Sequence, residues 1–410
     1  NPIIGASTSA EAGKSGHGLG KTFPGTATPF GMVQLSPDTK TGGDNGPGYS
    51  WHHSTIEGFS FIHMSGIGWY GEFGNLLVTP STGPLKTFVG VEDIPGSGYR
   101  SRYSHDTEVA KAGYYAVTLD DYDIRTELTS APHAGIIRMT FPKTDTARIA
   151  IDMARRIGGS ATEQYVKVVN DSTIEGWIHC TPKDGGWGNG GGKVEYTVYF
   201  SCQLSLPLKD FGVWTVDFPE GMDTVDLYTL EDEAYQKAVK DAKVLRGCKE
   251  IRGRHIGFFS EFPVKKDKQQ VLLKAGLSFV SLEGARKNLQ HDIPHWSFET
   301  VYEENKADWR KALQRMEVSG SERDKTIFYT ALYHTMIDPR DVSDVDGRYV
   351  GSDGRIYQND KFLYRSIFSG WDVFRSQFPL QTIINPGLVN DEINSLISLA
   401  EVSGRKYFPR

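Results

Sequence analysis

The chain has 410 residues, a net charge of -6 and 23% charged residues, and its isoelectric point lies near 6.0; without a basic cluster interleaved with aromatics, this balance excludes nucleic acid as a partner. No apolar run approaches the roughly 20 residues of a membrane helix, so no membrane span is expected, and the length exceeds one ordinary core and predicts two or three domains. Cys180, Cys202 and Cys248 show neither CxxC nor Cys/His spacing and read as buried free thiols; a Cys180–Cys202 pairing across neighbouring strands is the alternative.

In chain order, residues 17–80 come first, where Gly48, Gly58, Gly66 and Gly71 alternate with Tyr49, Trp51, Phe59 and Trp69, and with His52, His53 and His63. Glycine weakens regular strands and lets backbone approach a ligand, so this density predicts shaped loops between short strands. Flat rings beside imidazoles suit the C–H face and the hydroxyls of a polyol. Glycine-rich turns of a β-sandwich with tryptophans in its core fit the same composition. His52 and His53 have no further ligands at metal spacing, which argues against zinc.

Residues 113–119, 124–129, 134–141, 147–152, 194–202 and 270–281 largely alternate apolar and polar positions between turn residues, the pattern of a large antiparallel sandwich. The run 185–192 is a glycine-rich loop in which Trp187 is either a lid residue or an anchor. Near 295 the period changes to helical. Trp309, Ala312, Leu313 and Met316 share one face over 302–317, Ser321 caps a second helix, and 391–401 forms a third that Ser403-Gly404 stops. The division expected is a β-sandwich over 1–290, a helical connector over 291–320 and a helical region over 321–410.

Several separate motifs carry a resemblance. GKTFPG (20–25), PFGMVQLSPD (29–38), GY (48–49), GFS (58–60) and HMSG (63–66), followed by ALYH (331–334), Tyr364, SGWD (369–372) and FR (374–375), resemble glycoside hydrolase family 92, calcium-dependent exo-acting α-mannosidases. The resemblance implies an N-terminal antiparallel β-sandwich followed by the start of an (α/α)6 barrel, with the site in the cleft between them. It implies removal of terminal mannose from glycans with inversion, a carboxylic acid and a carboxylate lying about 6.5–9.5 Å apart across the bond. It also implies Ca2+, a hard ion able to bind two adjacent sugar hydroxyls. Twelve helices do not fit in 321–410. The catalytic acid, base and most calcium ligands are therefore expected after Arg410, on a C-terminal remainder of the same enzyme that would be its partner, and no residue present is assigned a catalytic role.

Five residues are expected to bind substrate. Trp371 and Asp372 align with residues that hold the terminal mannose, the carboxylate accepting from its outer hydroxyls; beside this stands an ordinary Asp at a helix N-terminus with a core Trp. Trp69 is a platform for the leaving-group sugar or a packed loop anchor, and His63 donates to a hydroxyl or satisfies a carbonyl in its own turn. Arg375, one turn from Asp372, orients it or forms a structural ion pair. Asp341, Asp344 and Asp346 loosely follow a calcium loop but lack its terminal Glu, and read as a solvated turn. A carbohydrate-binding sandwich without its own catalysis is the alternative function. The opening Asn1-Pro2, without Met, together with the resemblance, leads to the expectation of an exported protein.

Overall fold

The computed structural model describes residues 1–6, 20–39, 47–64, 73–90, 94–182, 195–217, 233–366 and 370–404. Trp69 and Trp187 lie outside the described residues, and so do the side chains of Trp371 and Asp372.

The alternating stretches form two antiparallel sheets facing one another. One has eight strands in the spatial order Thr26–Ala27, Gln34–Asp38, Gly58–Ser60, Leu77–Thr82, Thr144–Asp152, Ile256–Val264, Asp210–Thr215, Lys243–Arg246. The other has nine: Glu250–Gly253, Glu163–Val168, Thr173–Cys180, Tyr196–Leu204, Gln269–Ser278, Ala134–Phe141, Ile124–Ser130, Tyr114–Leu119, Val109–Lys111. Leu35, Phe59, Val78, Ile149 and Phe258 of the first sheet meet Val117, Leu128, Phe200 and Leu273 of the second in the core. A side chain of this kind stabilises by about 1.5–3 kcal/mol when fully buried.

Strand Ala134–Phe141 shows how sequence sets position. It pairs with Gln269–Ser278 in the register Ile137↔Leu273 and Met139↔Val271. Because successive side chains point to opposite faces, Ile137, Met139 and Phe141 enter the inter-sheet core. Ala134 and Ile136 point outward, onto Leu289, Ile293, Phe298 and Val301.

Those last four residues belong to the helical layer. Seven α-helices are described: α1 (Glu233–Lys240), α2 (Leu282–Asp292), α3 (Phe298–Leu313), α4 (Glu322–His334), α5 (Gly370–Val373), α6 (Gln377–Ile384) and α7 (Pro386–Ser403). Ser281, Ser297 and Ser321 cap α2, α3 and α4, each side chain accepting from the backbone N–H three residues on. Helix α3 starts at Phe298 and not near 302, because the Ser297 cap and the docking of Phe298 and Val301 on the sheet fix its entry. The strand expected through 281 ends at Ser278. Helix α2 then folds back so closely that a Cβ on Gly276 would lie 2.4 Å from the Ala285 carbonyl oxygen. Helix α7 ends at Gly404, whose φ of 64° closes it as the sequence predicts.

Residues 321–410 are not helical throughout. Between α4 and α5 the chain forms two small antiparallel pairs, Arg340–Asp341 with Arg365–Ser366 and Arg348–Val350 with Ile356–Gln358. None of the three cysteines is in a disulfide. Cys202 lies opposite Ile174 and Cys180 opposite Tyr196, so the strand register keeps the two sulfurs from meeting.

Candidate functional site

The segment after α4 turns back into the sandwich and builds a buried polar seam. Phe30 N–H donates to the Met336 carbonyl at 2.8 Å, Asp341 N–H donates to the Phe30 carbonyl at 2.9 Å, and Trp309 Nε1 donates to the Ala27 carbonyl at 2.7 Å. Phe23, Ala27, Trp309, Leu332, Tyr333 and Met336 close the apolar part of this junction. Phe30 (φ 57°) and Phe73 (φ 68°) take the left-handed conformation that bulky residues avoid. Strain of this kind persists only where the surroundings over-determine the backbone, and it clusters at functional sites.

At the centre is Arg340, 0% exposed. Its Nε donates to Asp338 Oδ1 at 2.8 Å, and its Nη2 donates to Gln34 Oε1 at 2.9 Å and to the His63 carbonyl at 2.6 Å. Its guanidinium lies 5.3 Å from the centre of the Phe73 ring. Burial pushes the Asp338 carboxyl up from its ordinary value, against the downward pull of Arg340.

His63 is fully buried, and its own protein neighbours use both ring nitrogens. Nδ1 sits 2.7 Å from the Gln34 carbonyl, and Nε2 lies 3.0 Å from Asp38 Oδ1 and 3.1 Å from Ser60 Oγ. Ser60 Oγ donates to Asp38 Oδ2 at 2.6 Å. Gly48 leaves room for this cluster: its φ is +80°, and a Cβ there would stand 2.1 Å from Asp38 Oδ1. His63 thus lies beneath the surface and is bonded across strands, not only within its own turn.

On the other flank of Asp341 lies a cavity of about 670 Å³ whose walls include His133, Asp341, Asp344, Asp346, Phe362 and Asp391. The solvated turn expected here is corrected. Asp341 and Asp344 are buried, and each bonds a neighbour through one carboxyl oxygen. Asp341 Oδ1 accepts from Ser343 N–H at 2.8 Å, Asp344 Oδ1 accepts from Asn288 Nδ2 at 2.8 Å, and Asp346 accepts from Arg348 Nε and Lys287 Nζ. His133 bridges Asp292 (Nδ1 to Oδ2, 3.1 Å) and Asp341 (Nε2 to Oδ2, 3.5 Å). Burial alone would lower its pKa, but the two carboxylates outweigh that and raise it to about 10. Among the described residues no group of three or more His, Cys, Asp or Glu is placed to hold a metal ion.

Of the residues expected to bind substrate, Trp371 and Asp372 fall in α5, a single turn that the Arg365–Ser366 strand precedes. Arg375 is exposed and carries its guanidinium 4.4 Å from the centre of the Phe374 ring. Sequence reasoning did not reach Arg340, Asp338, Gln34 or His133. The available signals were the 29–38 motif, which contains Gln34, and the dense run of charge in 338–348, and spacing alone does not tie one to the other across three hundred residues.

With this geometry in view, two family models match the chain: the glycosyl hydrolase family 92 N-terminal domain over residues 1–278 and the glycosyl hydrolase family 92 catalytic domain over residues 284–410. The fold is similar to that of the family GH92 α-mannosidase BT3965 of Bacteroides thetaiotaomicron, at 31% identity and a TM-score of 0.85, over 100% of this chain and 50% of that one. The family GH92 inverting mannosidase BT2199 of the same organism shares the fold at 21% identity and a TM-score of 0.77, over 98% of this chain and 48% of its own. An uncharacterized secreted glycosidase of Arthroderma benhamiae is 24% identical over 382 residues, 87% of this chain and 44% of that protein. The chain therefore spans about half the length of these relatives.

Proposed function

Because the chain belongs to glycosyl hydrolase family 92, we propose that it supplies the sandwich side and the first helices of an exo-acting α-mannosidase that hydrolyses terminal mannose from glycans with inversion. The observation that carries this reading is the seam. The two family matches meet where Arg340, from one, donates to Gln34 and His63, from the other. A cleft that must hold a sugar against two separately folded parts needs such a fixed junction, since a small misplacement of the binding groups costs orders of magnitude in rate.

In this reading α4 to α7 begin an (α/α)6 barrel, the connector runs over 291–320, and Trp371 with Asp372 holds the terminal mannose at the barrel's mouth. A buried carboxylate that accepts two hydroxyl protons rejects a sugar lacking them, because its charge would be left unpaired. Trp69 faces the leaving-group sugar, Arg375 orients Asp372, and His63 stiffens the sandwich wall through Asp38 and Gln34. No pair of carboxylates on this chain is assigned as acid and base. Calcium ligands, in this reading, come from groups outside the described residues, which hold no cluster of three or more His, Cys, Asp or Glu. Export follows from the family and accords with the description of the Arthroderma relative as secreted.

The test is release of mannose from linkage-defined disaccharides, with and without chelator, by the wild type and Asp372→Ala. Mannose release that falls by orders of magnitude in the variant, at unchanged thermal stability, supports the reading. Unchanged kcat/KM in Asp372→Ala would remove that residue from the site.

A further inference from the structure

Trp51, in the loop that follows Gly48, is 37% exposed and rests on a half-exposed imidazole that is itself anchored to buried groups. Its ring lies parallel to the His105 imidazole, centroids 3.5 Å apart and planes 8° from coplanar. His105 is itself immobilised: Nε2 bonds the Trp51 carbonyl at 2.9 Å, and Nδ1 bonds Glu108 Oε2 at 2.7 Å. Glu108 accepts from Tyr49 Oη at 2.9 Å and from Tyr115 Oη at 2.6 Å. Tyr103 stands edge-on to the imidazole at 5.2 Å. The same loop is tied to the seam, since Ser50 N–H and Thr39 Oγ1 bond at 3.0 Å and Thr39 N–H donates to the Gly48 carbonyl.

A scattered exposed apolar residue needs no explanation, but this one differs in how it is built. One face of the indole rests on the imidazole, and the polar groups beneath it are matched, so the ring cannot fold inward without breaking bonds to a buried carboxylate. The outer face remains a flat, electron-rich surface with its rotamer already fixed. That is the form a binding platform takes when its supporting shell holds it in place. A pyranose offers a matching partner, a patch of C–H groups on one ring face, and loses little entropy on stacking against a rigid plane.

We propose that Trp51, backed by His105, is a secondary sugar platform that stacks a pyranose of the glycan beyond the terminal mannose. This deepens the mannosidase reading and rests on it for the class of ligand. The platform selects chain length: it adds nothing for a simple aryl mannoside and strengthens binding of a mannose oligosaccharide.

The experiment uses the enzyme with Trp51→Ala and Trp51→Phe, alongside 5-fluorotryptophan-labelled protein whose Trp51 signal is assigned by its loss in Trp51→Phe. The expected result is that kcat/KM on a mannotriose falls about three- to tenfold in Trp51→Ala, with that on an aryl α-mannoside unchanged and Trp51→Phe between the two. Mannotriose is also expected to shift the Trp51 fluorine signal more than free mannose does. If the aryl mannoside is hydrolysed but the oligosaccharide ratio and the fluorine signal do not move, the platform is refuted and the mannosidase reading stands. If no mannoside is hydrolysed, that reading fails, and the fluorine titration alone decides whether Trp51 meets sugar.

Discussion

Replacing Arg340 by Met tests whether the two parts of the molecule are fixed by one buried cation. Arg340 is wholly enclosed, and Asp338 beside it is 8% exposed, so the substitution leaves a carboxylate with neither water nor its counter-charge. It also removes the donor to Gln34 Oε1 and to the His63 carbonyl. Breaking a buried pair from one side costs about 3–5 kcal/mol, most of it from the stranded charge, and each orphaned neutral acceptor adds about 1 kcal/mol. Calorimetric unfolding at neutral pH is expected to show a loss of at least that first amount. Asp338→Asn in the same background is expected to restore more than half of it, since the charge is gone and the amide still bonds. The loss should also shrink as the pH falls, because burial already raises the Asp338 carboxyl above its ordinary value and a proton there removes the stranded charge. A loss below about 1 kcal/mol in Arg340→Met, or one that Asp338→Asn leaves unchanged, would refute the argument that Arg340 neutralises Asp338 at the seam.

His133 carries a raised pKa of about 10 in the folded protein against about 6.5 in the unfolded chain. Its stabilisation is therefore complete below the lower value and lost as pH rises through the upper one. The difference in unfolding midpoint between wild type and His133→Gln is expected to narrow from neutral pH towards pH 10, and a constant difference would count against the Asp292–His133–Asp341 bridge. Glu392 of α7 is 1% exposed, its two carboxyl oxygens have no hydrogen-bond partner among the described residues, and burial raises its pKa to about 7. The unfolded chain releases this proton near pH 4.3, so stability is lost as pH rises from there through 7. Glu392→Gln is expected to match the wild type in acid and exceed it above neutrality, as thermal unfolding across that range would show. Gly48→Ala forces a Cβ against Asp38 at a positive φ; a loss of about 1 kcal/mol or more is expected, and unchanged thermal stability would contradict the tight packing of that turn.

The strands were legible because a pleated, half-buried sheet writes a two-residue period into the chain. Residues 134–141 are a strand at both ends expected, and 124–129 gains only Ser130. Serine caps announced α4, and Gly404 announced the end of α7. Helix α2 was missed because it lies on the sheet through few apolar side chains, with Gly276 supplying closeness that periodicity does not register. The small pairs in 335–366 were missed for a similar reason, since strands of two or three residues carry too few positions to show a period.

The sequence by itself determined the class of each region, from local alternation, caps and stops, and it carried the motifs that relate the chain to its family. Only the tertiary structure decided which charges meet. His63 and Arg340 are 277 positions apart, and whether an imidazole faces a ligand or fixes a strand depends on what lies within about 3 Å of its nitrogens. Spacing along a chain has no access to that distance, because it is set by the docking of separately formed elements and not by any one of them.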